Sequence, residues 1–67
     1  MWKIFFTYGD KSKLTLTGKG NEIPPRLISK YYMDYGIRCA SALYQQYPKK
    51  DNESQDFLEM ARKIMEG

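Results

Sequence analysis

Residues 2–18 read WKIFFTYGDKSKLTLTG, and alternation governs them. Trp2, Ile4, Phe6 and Tyr8 recur at every second position, with Lys3, Phe5 and Thr7 between them. Successive side chains of a strand point to opposite faces, so this spacing builds one apolar face and one polar, partly aromatic face. Gly9, Asp10, Lys11 and Ser12 form a cluster of turn residues. From Lys13 to Thr17 the alternation resumes, with Leu14 and Leu16 on the apolar side. Two alternating runs joined by such a cluster predict a β-hairpin over 1–18. An isolated hairpin is marginal in water, so later segments have to cover its apolar face.

The whole chain, 1–67, is short enough to form one small domain. A domain of this size buries only about 60% of the surface its unfolded chain exposes, so a staple, a partner or a well-filled core is needed. Cys39 is the only cysteine, which excludes an internal disulfide, and there is no histidine to serve a structural zinc site. Packing then falls to one tryptophan, six tyrosines and three phenylalanines, or to oligomerisation. Met1-Trp2-Lys3 leads directly into the strand pattern without a cleavable signal. No apolar run approaches the roughly 18 residues of a membrane span, so the expectation is a cytoplasmic protein that contacts no membrane.

The net charge of +3 is unevenly placed. The first fifty residues carry nine Lys/Arg against three Asp/Glu, and the last seventeen carry two against five. A basic body favours nucleic acid or an acidic protein surface, although solubility and attraction between the two parts account for the asymmetry equally well.

Gly18-Lys19-Gly20-Asn21 is a connector by composition. It lacks the Ser or Thr and the helix start that a phosphate-binding loop needs. Ile23-Pro24-Pro25 opens a helix over 24–35, since proline fits the first helical turn. With Pro25 as its first residue, Ile23 and Ile28 are placed to form a hydrophobic staple. Leu27, Tyr31 and Tyr35, or Ile28, Tyr31, Tyr32 and Tyr35, supply its inward stripe. Gly36 suits a left-handed stop. Asp34 lies at the end where the helix dipole disfavours a carboxylate.

Residues 37–47 fit two periods. Alanines and glutamines suit a helix, whereas alternation suits a third strand with Ile37, Cys39 and Leu43 inward and Arg38, Tyr44 and Gln46 outward. The strand is favoured because Gly36 leaves no room for a helix cap. Pro48 to Asn52 break the chain. Asn52 with Gln55 matches a capping box for a C-terminal helix over 53–66, whose terminal charges suit the dipole. Phe57, Met60, Ala61 and Ile64 fall on one face of that helix, with Leu58 and Met65 beside it. That face either closes the core or meets a neighbouring chain, including a second copy in a homodimer. The expected class is α+β, in the order ββαβα: a small antiparallel sheet of the hairpin and a third strand, with two helices on one face.

Catalysis has little to use. Without histidine there is no ordinary activation of a Ser or Cys nucleophile. Cys39 reads as a small buried residue. Asp10, Glu22 and Asp34 come from separate boundaries and nothing requires them to converge. The chain is therefore read as a non-enzyme with no cofactor and no metal. Binding has more to use. With helices on the Trp2-Ile4-Phe6 face, the opposite face presents Lys3, Phe5, Lys13 and Arg38, a ring among cations that can stack a base while ammonium groups track phosphates. Tyr44, Gln46, Tyr47, Lys49 and Lys50 form a second candidate surface, because tyrosine supplies large contact area at low entropic cost. Phe57, Met60 and Ile64 are the alternative, a partner-binding helix.

The segments W-K-I-x-F-T-Y-x-D-x-S-K-L-T-L-T-G-K, I-P-x-R-L, K-Y-Y and Y-Q-Q-Y-P-K-K resemble small uncharacterised proteins of phages and integrative elements of Gram-positive bacteria. The resemblance spans most of residues 2–50 and carries no catalytic motif. It implies a stoichiometric binder in the bacterial host cell. Such a binder would regulate nucleic-acid transactions on a nucleic acid or nucleoprotein, or would inhibit a host defence protein in the manner of anti-CRISPR proteins. Mimicry of DNA by an acidic surface is disfavoured by the basic first fifty residues.

Overall fold

The computed structural model describes residues 1–47 and 54–66. The hairpin forms as the alternation requires. β1 (Trp2–Thr7) and β2 (Lys13–Gly18) pair antiparallel, with Ile4 opposite Leu16 and Phe6 opposite Leu14. Their connection is tight. The Lys11 N–H donates to the Tyr8 carbonyl at 3.0 Å, and the Tyr8 N–H donates to the Ser12 carbonyl at 2.9 Å. Lys11 takes a left-handed φ of 72°, the position that a hairpin of this length usually gives to glycine. Asp10 Oδ1 accepts from the Ser12 N–H at 3.0 Å and from Ser12 Oγ at 2.6 Å, which fixes the turn. Those hydrogen bonds, the hydroxyl's foremost, hold the Asp10 carboxyl below its ordinary pKa.

At the other end of the hairpin Trp2 lies opposite Gly18. A Cβ on Gly18 would fall inside the Trp2 indole, so only glycine fits there. The bare backbone is what lets the indole lie across β2.

Helix α1 (Pro25–Tyr31) begins at the prolines and continues without a break into a π turn (Tyr32–Gly36), so the helical segment ends close to where the sequence placed it. The Ile37 N–H reaches back to the Tyr32 carbonyl at 3.0 Å, the wider spacing that defines such a turn. Ile23 and Ile28 are both buried, as the staple requires. Gly36 does not stop the helix in the left-handed region, because Ile37 beyond it is still right-handed with φ −61° and ψ −34°. Glycine is needed there for space: a Cβ would meet Tyr32 Cδ1 at 2.8 Å and Leu58 Cδ2 at 3.4 Å.

The third strand exists but is shorter and in the opposite phase to the reading above. β3 (Ser41–Gln46) pairs antiparallel with the far side of β1, with Ile4 opposite Tyr44 and Phe6 opposite Ala42. Opposed residues share a face, so Ala42 and Tyr44 point into the core and Leu43 points away. Ile37 and Arg38 precede the strand and are exposed, and Cys39 is half-buried. A fourth strand, β4 (Gln55–Asp56), pairs with β3 and completes a sheet in the order β2-β1-β3-β4.

α2 (Phe57–Glu66) follows directly. Its cap is Asp56, whose Oδ1 accepts from the Leu58 N–H at 3.0 Å. The helix starts at Phe57 and not at 53, because Gln55 and Asp56 pair as β4 ahead of it; Asn52, the other half of the expected capping box, lies outside the described residues. Both helices pack on one face of the sheet. Tyr31 and Tyr35 lie against Trp2 and Phe6, with ring centroids 6.2 and 5.8 Å apart, and Phe57 meets Phe6 edge-on at 5.6 Å. The core consists of Trp2, Ile4, Phe6, Ile23, Ile28, Ala42, Tyr44, Phe57 and Ala61. The two-layer α+β class holds, with four antiparallel strands in place of three.

Candidate nucleic-acid interface

One face of the sheet carries no helix, and the strand registers specify what it shows. Across its middle, Thr15 of β2 lies opposite Phe5 of β1, which lies opposite Leu43 of β3. Asp56 of β4 follows Leu43. On one side of that row are Thr17, Lys3 and Gln45, and on the other are Lys13, Thr7 and Ser41. Phe5 is half-buried, and Leu43 beside it is 40% exposed. Together they form an apolar platform, extended by a shallow groove towards Ala40 and Leu58.

Lys3 and Lys13 flank the platform from opposite sides. The Lys3 ammonium lies 5.4 Å from the centroid of the Tyr47 ring, within range of a cation–π attraction. The Tyr47 hydroxyl in turn donates to Gln45 Oε1 at 2.7 Å. Lys3, Gln45 and Tyr47 are thereby held as one polar group at an end of the open face. Threonines 15 and 17 and Lys13 remain exposed.

The predicted residues separate into four groups. Lys3, Phe5 and Lys13 share the open face, and Tyr47 joins them. Arg38 does not, because β3 begins only at Ser41 and Arg38 sits in the turn before it. Tyr44 and Gln46 are corrected to the core side of β3. Tyr44 is 2% exposed and Gln46 is half-buried, its amide donating to the Asn21 carbonyl at 2.7 Å. Lys49 and Lys50 lie outside the described residues.

Leu43 was missed, being assigned inward with Cys39. Both alternating sets of residues 37–47 contain apolar side chains, so period two alone did not fix the phase. The fact that settles it is distant in sequence: the Tyr44 hydroxyl accepts from the buried Ile23 N–H at 3.0 Å. Burial raises the pKa of this phenol, and the Ile23 hydrogen bond opposes the shift.

The partner-helix residues divide as well. Phe57 is 0% exposed and belongs to the core, Met60 is half-buried, and only Ile64 is open to solvent. Met65 lines a groove between the π turn and α2, together with Tyr32, Ile37 and Leu58.

Cys39 donates its thiol to the Gly36 carbonyl at 3.1 Å, and burial pushes its pKa up, which disfavours the thiolate. Among the described residues no three Cys, Asp or Glu side chains come together as a metal site would need. Among the same residues no helix is long and apolar enough to cross a membrane. The chain matches no protein-family model, no curated protein and no solved structure.

Proposed function

We propose that this chain is a small non-enzymatic binding module that occupies a nucleic acid or nucleoprotein through its open sheet face. The observation that carries the reading is Phe5, held on a strand paired on both sides, with Lys3 and Lys13 flanking it and no helix above it. A strand with two partners gives the ring a fixed position, so little entropy is lost when a base stacks on it. Stacking of this kind contributes about 1–3 kcal/mol per base, and it tolerates any base. The lysines add attraction to phosphates that salt weakens. Threonine hydroxyls at positions 7, 15 and 17 offer hydrogen bonds to sugar and phosphate oxygens. The mode is stoichiometric occupation in the cytoplasm of a bacterial host, in keeping with the mobile-element proteins that the sequence resembles.

The test is a titration of labelled single-stranded DNA and RNA oligonucleotides against rising salt. Phe5→Ala is expected to weaken binding by about 1–3 kcal/mol, with the circular dichroism spectrum showing that the variant is still folded at the assay temperature. Lys3→Gln and Lys13→Gln are each expected to flatten the slope of log K against log salt by about 0.7. Absence of binding to either oligonucleotide at low salt would sink the reading. The alternative is then a protein partner, such as a host defence protein. The observation favouring it is the groove beside α2, where Ile37 and Met65 are 56% and 54% exposed.

A further inference from the structure

We propose that β2 is the pairing edge of a symmetric homodimer, in which two copies join their sheets through an antiparallel β2–β2 contact. The sheet order leaves β2 with one strand neighbour along its six residues, whereas the outer side of β3 is paired with β4 at Leu43 and Tyr44. Natural sheets usually blunt such an edge with charged side chains, lysine above all, with proline, a bulge or inward-pointing charge. KLTLTG has no proline and one lysine, and it pairs with β1 residue for residue.

The backbone groups at this edge can be assigned. The Tyr8 N–H donates to Ser12, across the hairpin. The Met1 and Thr7 carbonyls instead accept from Tyr47 and Ala40, on the β3 side. Even-numbered residues of β1 therefore bond towards β2 and odd-numbered ones towards β3. By the register, Leu14, Leu16 and Gly18 direct their N–H and C=O groups to β1. Lys13, Thr15 and Thr17 direct theirs outward, away from the sheet.

Three outward-facing residues centred on Thr15 are self-complementary under a two-fold axis. Thr15 meets Thr15 of the second copy, and Lys13 meets Thr17, each pair exchanging both backbone hydrogen bonds. Within β2 no lysine then faces a lysine, and just beyond the strand Lys11 comes opposite Lys19 of the second copy. On the core side the same register sets Leu14 directly against Leu16 of the second copy. Both leucines are only half-buried in the monomer, and the pairing covers them. Residues of like parity oppose each other, so the helices of the two copies lie on the same side and the two open faces form one surface. The contact uses β2 of both copies, so the two-fold closes it as a pair and it does not propagate through β2. The contact is small, which makes the dimer concentration-dependent. The occupant is a second copy, joined through β2 instead of the C-terminal helix, and the inference does not depend on nucleic-acid binding.

Sedimentation equilibrium over a dilution series tests it. The expected result is a mass rising from one chain to two with concentration. Thr15→Pro removes an N–H that the monomer does not use, and proline is tolerated on an edge strand in that orientation. This variant is expected to keep its circular dichroism spectrum and to stay monomeric at every concentration. A second measurement uses oxidation of Thr15→Cys in a Cys39→Ser background. Cα atoms of a hydrogen-bonded pair lie about 5.5 Å apart, inside the disulfide range. Thr15→Cys is expected to cross-link as a dimer, whereas Thr17→Cys, facing Lys13, is expected not to. A mass of one chain throughout the series, or preferential cross-linking of Thr17→Cys, would overturn the proposal.

Discussion

Tyr44 shows how much one oxygen can decide. Its ring fills the core opposite Ile4, and its hydroxyl satisfies the Ile23 N–H just ahead of α1. A buried donor left without an acceptor costs about 1–3 kcal/mol, more than the mean contribution of a hydrogen bond, because the desolvated group has nothing in exchange. Tyr44→Phe keeps the ring and strands that donor. The expected outcome is a loss of about 1–3 kcal/mol, read as a lower urea midpoint with an unchanged slope. An unchanged midpoint would mean that water reaches Ile23. No sequence pattern announces this pairing, since the two residues stand 21 positions apart. Tyrosine in a polar stretch such as Tyr44-Gln45-Gln46-Tyr47 reads as surface, whereas Tyr44 is buried and Tyr47 half-buried.

At the scale of elements, legibility followed the amount of repeated local information. The hairpin repeats its alternation over both strands, and a slip of one residue would expose Trp2, Ile4 and Phe6, so its register is strongly specified. The helix opening at Ile23-Pro24-Pro25 was legible from proline chemistry alone. β3 was ambiguous because Cys39 and Leu43 compete with Ala42 and Tyr44 for the inward phase. β4 has two residues, too few for any period. Gly36 ends the π turn where Tyr32 and Leu58 leave no room for a Cβ, a packing requirement that in sequence looks the same as a left-handed stop signal. Of the candidate interface, Lys3, Phe5 and Lys13 were readable because they belong to the hairpin, whereas Leu43 and the burial of Tyr44 depended on β3.

The amphipathic stripe of α2 was equally clear, but a stripe does not say what covers it. Phe57 meets Phe6 inside the core, while Ile64 is 37% exposed near the other end of the helix. Phe57→Ala is expected to cost about 3–5 kcal/mol, and Ile64→Ala no more than about 0.5 kcal/mol. For a domain this small the first loss is comparable to the whole stability, so a thermal melt should show the Phe57 variant largely unfolded and the Ile64 variant unaffected. Equal behaviour of the two would contradict the assignment of Phe57 to the core.

For the molecule as a whole, the sheet order sets a hierarchy of local stability. β1 has a partner on each side, and its N–H groups face either β2 or β3. Amide exchange in dilute solution is expected to be slowest in β1. In β2 it should alternate, with Leu14 and Leu16 protected and Thr15 and Thr17 fast. Uniform protection along β2 under those conditions would show the alternation to be wrong.

Trp2, described above for the glycine it demands, has a separate consequence. It is the chain's only tryptophan, almost sealed from solvent, and its ring nitrogen has no hydrogen-bond acceptor among the described residues. An excited indole emits at longer wavelengths when surrounding dipoles relax around it, and here few can. The molecule therefore carries a built-in optical gauge of its own integrity, one that shifts to the red when the hairpin and the helical layer part.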